Sequence, residues 1–229
     1  MAEIGYGYGS EWHLMRFMAR HRKLLEEAIR KSIGGLNEER VFDWYDFKFG
    51  GSGITSDNEL KGLSFLDDIQ SIKGYIKSDW QSWDAIFKLD DTFYLVEAKA
   101  HIEEMMGSCS SDEAKSKEKI KDYIFDNLVK QGISIDRERC LVDYYQLANR
   151  LATAAFLRNN GIEARCLYIY FLNGYEKPND IKNASAEMFN DEINKEKAAL
   201  DLKGKQLDDL LFQVFIDAKT GEIVKPNLQ

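Results

Sequence analysis

Apolar and polar positions alternate along this chain with three different rhythms, and each rhythm predicts a different element. From Glu11 to about Ile29, Leu14, Met15, Phe17, Met18, Leu24, Leu25 and Ala28 recur at helical spacing, with Ser10 as N-cap and Gly34-Gly35 as the stop. Arg40–Phe49 is aromatic-rich and extended, which predicts a strand, and Gly50–Gly62 reads as a loop. Leu63–Gln81 fits a short strand and a turn. Ser111–Gln131 carries a narrow stripe of Ile120, Tyr123, Ile124 and Leu128, the mark of a solvated amphipathic helix ending at Gly132. Asp136–Asn160 reads as a second helix, apolar on most sides of its middle, and Glu163–Leu172 as a central strand with apolar residues on both faces. Beyond Asn173 the pattern predicts a helix over Ala184–Leu202 and two strands over Leu211–Val224 around a turn at Asp217–Gly221.

Between these lies the stretch WDAIFKLDDTFYLVEAKAH, Trp83–His101, whose two apolar runs on either side of Asp90-Asp91 predict a hairpin of buried strands. Asp90-Asp91 is its natural turn, since Asp tolerates the left-handed backbone a tight turn needs. That turn pairs Leu89 with Thr92 and, continuing outward, Asp84 with Glu97 and Ser82 with Lys99. One face then holds Ala85, Phe87, Leu89, Tyr94, Val96, Ala98 and Ala100, all apolar. The other holds Ile86, Phe93 and Leu95 near the turn and Asp84, Glu97, Lys99 and His101 at the far end. Charged groups on a buried strand need partners or a metal. Opposed residues have Cβ atoms about 5 Å apart, and two carboxylates set side by side in this way repel unless a proton or a cation lies between them. Mg²⁺ takes oxygen ligands of this kind, and Lys99 on the same side can reach a phosphate or an attacking water, so the implied chemistry is metal-assisted phosphodiester hydrolysis. The plainer expectation is a structural cluster, with one carboxylate ion-paired to Lys99.

Asp84 followed by Glu97-Ala98-Lys99 on an apolar strand resembles the signature of the PD-(D/E)XK nuclease superfamily. The resemblance covers Ser10 to Leu172 and implies an α/β fold: a restriction-endonuclease-like core, a mixed sheet flanked by helices in the order α-β-β-β-α-β, with a C-terminal α+β elaboration. It divides the chain into a core at 1–172 and an elaboration at 173–229 packed on the same domain. It implies that Asp84, Glu97 and the backbone carbonyl of Ala98 bind Mg²⁺ or Mn²⁺ and that Lys99 orients or activates the attacking water. Glu11 on the first helix matches the additional Glu that many members carry there, as catalytic residue and further metal ligand. Gln146 matches a polar residue on the helix after the motif strand, and His101 and Ser82 are expected beside substrate. Trp83 stands where many members have proline.

Bulk properties narrow the setting. At 229 residues there is room for one large domain with a substantial core. A net charge of −8 gives no overall electrostatic attraction to nucleic acid, so a nuclease would need a local basic strip, for which Lys48, Lys73, Lys77 and Arg150 are the conceivable members. Cys109, Cys140 and Cys166 are odd in number and lack metal spacing, and no run resembles a membrane span or signal peptide. These features point to the cytoplasm. The expected function is a metal-dependent nuclease with nucleic acid, DNA before RNA, as its partner, or alternatively an inactive nuclease-fold protein that binds another protein or forms a homodimer.

Overall fold

The computed structural model describes residues 9–34, 40–45, 60–61, 82–174 and 184–225, with backbone alone at 60, 61 and 82. A five-stranded mixed sheet forms its centre, in the order β1 (Phe42–Trp44), β4 (Ala85–Leu89), β5 (Thr92–Lys99), β6 (Ala164–Leu172) and β7 (Leu211–Asp217). β1, β4 and β5 run antiparallel in succession, while β6 and β7 are parallel to β5. A separate pair joins β2 (Leu60–Lys61) to β3 (Ser82–Trp83). The chain is thus an α/β protein, as the alternation of rhythms predicts. No helix among the described residues is long and apolar enough to cross a membrane.

The hairpin takes the predicted register, with Leu89 opposite Thr92 and Ala85 opposite Val96. Asp90 supplies the left-handed turn residue at φ 52°. Its faces separate as the alternation requires. Ala85, Phe87, Val96, Ala98 and Ala100 pack with Leu14, Phe17, Leu25 and Ile29 of the first two helices. Ile86 and Leu95 pack on the other side beneath α3 (Ala114–Lys130) and α4 (Tyr145–Asn159). Burying both faces of β5 explains why all its residues from Tyr94 to Lys99 are inaccessible.

Several boundaries differ from the sequence reading, each for a local reason. The predicted first helix is two, α1 (Ser10–Arg20) and α2 (Arg22–Ile33), broken at His21, where φ is −132°. There the Arg22 side chain donates to the Met18 carbonyl at 3.1 Å. Gly9, at φ 88°, takes the N-cap position assigned to Ser10, whose N–H is instead directed to a carboxyl oxygen of Glu104 at 3.4 Å. The helix expected from Asp136 begins only at Tyr145, because Asp136 caps the amides of Glu138 and Arg139 in a turn and Asp143 is left-handed at φ 55°. Gly34 and Gly132 end their helices with positive φ, as expected. The readings for Gly50–Gly62 and Leu63–Gln81 fall outside the described residues apart from β2 at 60–61.

The last quarter of the chain completes the same sheet. α5 (Ala186–Ala199) seats Phe189 on Tyr170 of β6, with ring centroids 4.8 Å apart. The short α6 (Leu207–Leu210) then leads into β7, which pairs with β6 from Cys166–Leu211 to Leu172–Asp217. The second predicted strand is a return through Asp217–Gly221 that makes one bridge, Ile216 to Ile223.

Candidate functional site

The site begins with a break in a strand. Asp84 is a bend between β3 and β4, and the hairpin ladder stops at Ala85–Val96. Beyond it the chain pairs with β2, so Ser82 lies opposite Lys61 rather than in the predicted place across from Lys99. A turned-away strand leaves the amide of Ala98 without a backbone acceptor, and the Asp84 carboxylate takes it: Ala98 N–H donates to Asp84 Oδ2 at 2.6 Å. In an extended strand the N–H and C=O of one residue point to the same side, so the Ala98 carbonyl also faces Asp84.

Glu97, the residue before Ala98 on β5, is 4% exposed, as is Lys99. Its Oε1 accepts from Lys99 Nζ at 2.8 Å and from Gln146 Nε2 at 2.8 Å, and its Oε2 accepts from Arg150 Nε at 2.9 Å. Gln146 closes the ring by accepting from Lys99 Nζ at 2.6 Å. Gln146 and Arg150 stand one turn apart on α4, which lies across this face, so a single helix delivers both. The Arg150 guanidinium also rests on the Trp83 ring, 4.5 Å from its centroid, and Trp83 is fully buried.

The electrostatics divide the two carboxylates. Withdrawal from solvent and then the Glu97 charge push Asp84 up to about 8, with Lys99, the Ala98 amide and Arg150 pulling the other way. Burial works against the Glu97 charge as well, but Lys99 and Arg150 together hold its carboxyl below the usual range. Lys99 is held above its usual range because Glu97 and Asp84 outweigh burial. The arrangement is therefore an ionised Glu97 clasped by two cations beside an Asp84 that readily keeps a proton.

The remaining predicted residues fall around this centre. Glu11 is half-buried in the first turn of α1, whose start approaches the end of β5 because Glu104 receives both Ser10 N–H and Ala100 N–H. His101 is 2% exposed under a 3-10 turn at Ile102–Met105, so it is packed inside rather than presented at the surface. Arg150, expected in a surface strip, is a buried partner of Glu97. Lys48, Lys73 and Lys77 lie outside the described residues. Cys109, Cys140 and Cys166 are all free thiols.

Three contributors escape the sequence reading. Tyr168 stands opposite Glu97 in the β5–β6 register, buried, with no hydrogen-bond partner for its hydroxyl among the described residues. Glu192 and Glu196 lie on the buried side of α5 with Phe189 and Ile193. Glu192 accepts from Tyr144 Oη at 2.7 Å, whereas burial, against the pull of Lys99, pushes Glu196 up to about 8. The available signal was their helical phase with Phe189 and Ile193, which places both carboxylates on an apolar stripe. Comparison of the chain with protein-family models, with curated proteins and with solved structures finds no match in any of the three.

Proposed function

We propose that the protein is a metal-dependent nuclease that hydrolyses phosphodiester bonds in nucleic acid, with DNA as the first expected substrate. The observation that carries this reading is the convergence of Lys99 and Gln146 on Glu97, with Asp84 bonded to the amide of the next residue, at the end of a strand where the ladder has opened. The order of elements supports it too: helix, three antiparallel strands, helices, then a strand parallel to the third, as in the restriction-endonuclease-like core of the PD-(D/E)XK nucleases.

The donors fit a hard divalent ion in kind. Among the described residues no three His, Cys, Asp or Glu side chains converge as a metal site. The protein ligands would be Asp84, Glu97 and the Ala98 carbonyl, a small set of the sort Mg²⁺ accepts while keeping several waters. Burial first and the Glu97 charge second push Asp84 up to about 8, and a cation between the two carboxylates would relieve the second of these. Mg²⁺ or Mn²⁺ held there would polarise the scissile phosphate and lower the pKa of a bound water. Lys99 would orient the attacking water, and Gln146, bonded to its ammonium at 2.6 Å, would fix the Lys99 arm. Glu11, at the α1 terminus beside the exit of β5, is the further carboxylate within this corner of the fold.

A second reading is a nuclease-fold interaction subunit without catalysis, and the saturation of both Glu97 oxygens favours it. One experiment separates the two. Mn²⁺ and Mg²⁺ binding by calorimetry, followed by cleavage of single- and double-stranded DNA and RNA, is run on wild type, Asp84→Asn and Glu97→Gln. Metal uptake and cleavage lost in both variants support the nuclease. A folded wild type that takes up no metal, even with nucleic acid present, leaves the interaction subunit.

A further inference from the structure

Resting on the nuclease reading, we infer that Arg16, Arg20 and Lys219 form the basic strip that holds the phosphodiester backbone of duplex DNA. A chain of net charge −8 attracts nucleic acid only through a local concentration of cations. Arg150, one of the cations expected in such a strip, is spent on Glu97 inside the fold.

Contacts between α1 and the turn after β7 bring the three cations together. The Arg16 Nη2 donates to the carbonyl of Ala218, just past the end of β7. Its guanidinium lies 5.3 Å from the ring centroids of both Trp12 and Phe17. Arg16 Nη1 makes no bond to a described residue, so a planar donor is held in place with one nitrogen to spare. Arg20 stands one helical turn further along α1 and is exposed. Lys219, next to Ala218, is exposed as well, and its turn is seated on Phe17 and Leu24 at Gly221. Among the described residues none of the three is ion-paired. The acid of this turn nearest to them in sequence, Asp217, accepts from the Asn173 side chain and from the amides of Lys219 and Thr220. Glu222 is exposed at the far side of the turn as the opposing charge, and three cations outnumber it.

The strip opens at the same end of the sheet as the candidate site. β5, β6 and β7 are parallel, so all three leave the sheet in one direction. Lys99 is in register with Tyr170, and Tyr170 with Phe215, which puts Ala218 two strands across and three residues beyond Lys99. Those steps amount to about 10 Å in each direction, or about 14 Å together. About four base pairs of duplex cover that span. α1 bridges it: its first amide is directed to Glu104, which also accepts from Ala100 at the exit of β5, and Arg16 lies half a helix further on. DNA lying on the strip would therefore reach the Asp84–Glu97 corner within half a turn of its own helix.

The test is the salt dependence of binding to a fluorescent DNA duplex in EDTA, where no cleavage occurs. It compares the full chain with Arg20→Ala, Lys219→Ala and, as a control, Lys119→Ala on the exposed side of α3. Arg16→Gln is added because it keeps an amide donor for Ala218 while removing the charge, and thermal melts establish that each variant is folded. Arg20→Ala, Lys219→Ala and Arg16→Gln are each expected to lower the slope of log K against log salt by about 0.9, and Lys119→Ala to leave it unchanged. Slopes equal to wild type in all three strip variants, or no binding by a wild type that still cleaves DNA with Mg²⁺, overturn the strip and leave the nuclease reading standing. A folded wild type that neither binds nor cleaves DNA or RNA overturns both.

Discussion

The carboxylate of Asp84 holds the peptide N–H of Ala98 at 2.6 Å, the place that a neighbouring strand's carbonyl would otherwise fill. One side chain therefore both seals the open end of the hairpin and supplies a ligand to the proposed metal. These jobs come apart on substitution. Asp84→Asn keeps an oxygen for Ala98 and is expected to fold with near-native stability while losing Mn²⁺ binding. Asp84→Ala orphans the amide and is expected to cost about 1–3 kcal/mol in urea denaturation.

Arg150 and Glu97 form a buried ion pair with a 2.9 Å bond. Removing one member strands the other. Arg150→Met is expected to destabilise the fold by about 3–5 kcal/mol, and Arg150→Met combined with Glu97→Gln by less than the sum of the single changes. A double-mutant cycle measures the coupling; strict additivity would mean that the pair does not interact.

Glu196 gives stability a pH dependence of known sign. Its carboxyl is pushed up to about 8 by burial and by Glu192, against Lys99 and Lys197. The folded state therefore binds its proton more tightly than the unfolded state does. The associated stability is complete below the ordinary carboxylate range and falls away as pH climbs from there through about 8. Glu196→Gln removes this loss, so the variant should melt higher than wild type at pH 8.5, with a smaller difference at pH 5. Each kcal/mol gained would appear as about 2–4 °C in Tm.

Gly174, two residues past β6, lies against the buried His13 of α1, and a Cβ there would collide with the imidazole ring. Gly174→Ala is expected to destabilise by about 1–3 kcal/mol, as overpacking does in a filled interior. His13→Ala should relieve the clash, so the double variant tests whether the ring is the obstacle.

The hairpin was legible because two local signals agree. Asp90-Asp91 fixes the register, and alternation then assigns every side chain from Ala85 to Ala100 to a face. The same alternation brought Asp84, Glu97 and Lys99 to one end. The start of α4 was not legible, because nothing in the apolar pattern reveals that Asp136 caps a turn or that the chain reverses at Asp143. Arg150 could be named as a basic residue but not placed, since its partners Glu97 and Trp83 come from a distant hairpin. Glu196 was missed for the converse reason: a charged residue on a helix reads as solvated until the element covering it is known.

α5 and β7 follow every element that bears the site, and this order has a consequence during synthesis. A nascent chain that has emerged only to Leu172 already possesses Asp84, Glu97, Lys99, Gln146 and Arg150, yet β6 is still an open edge and α5 has not been made. Domains fold from the N-terminus as the ribosome extends them at about 5–20 residues per second. Synthesis beyond β6 is then also the step that closes the site, and a product truncated at Leu172 would carry the motif without its roof.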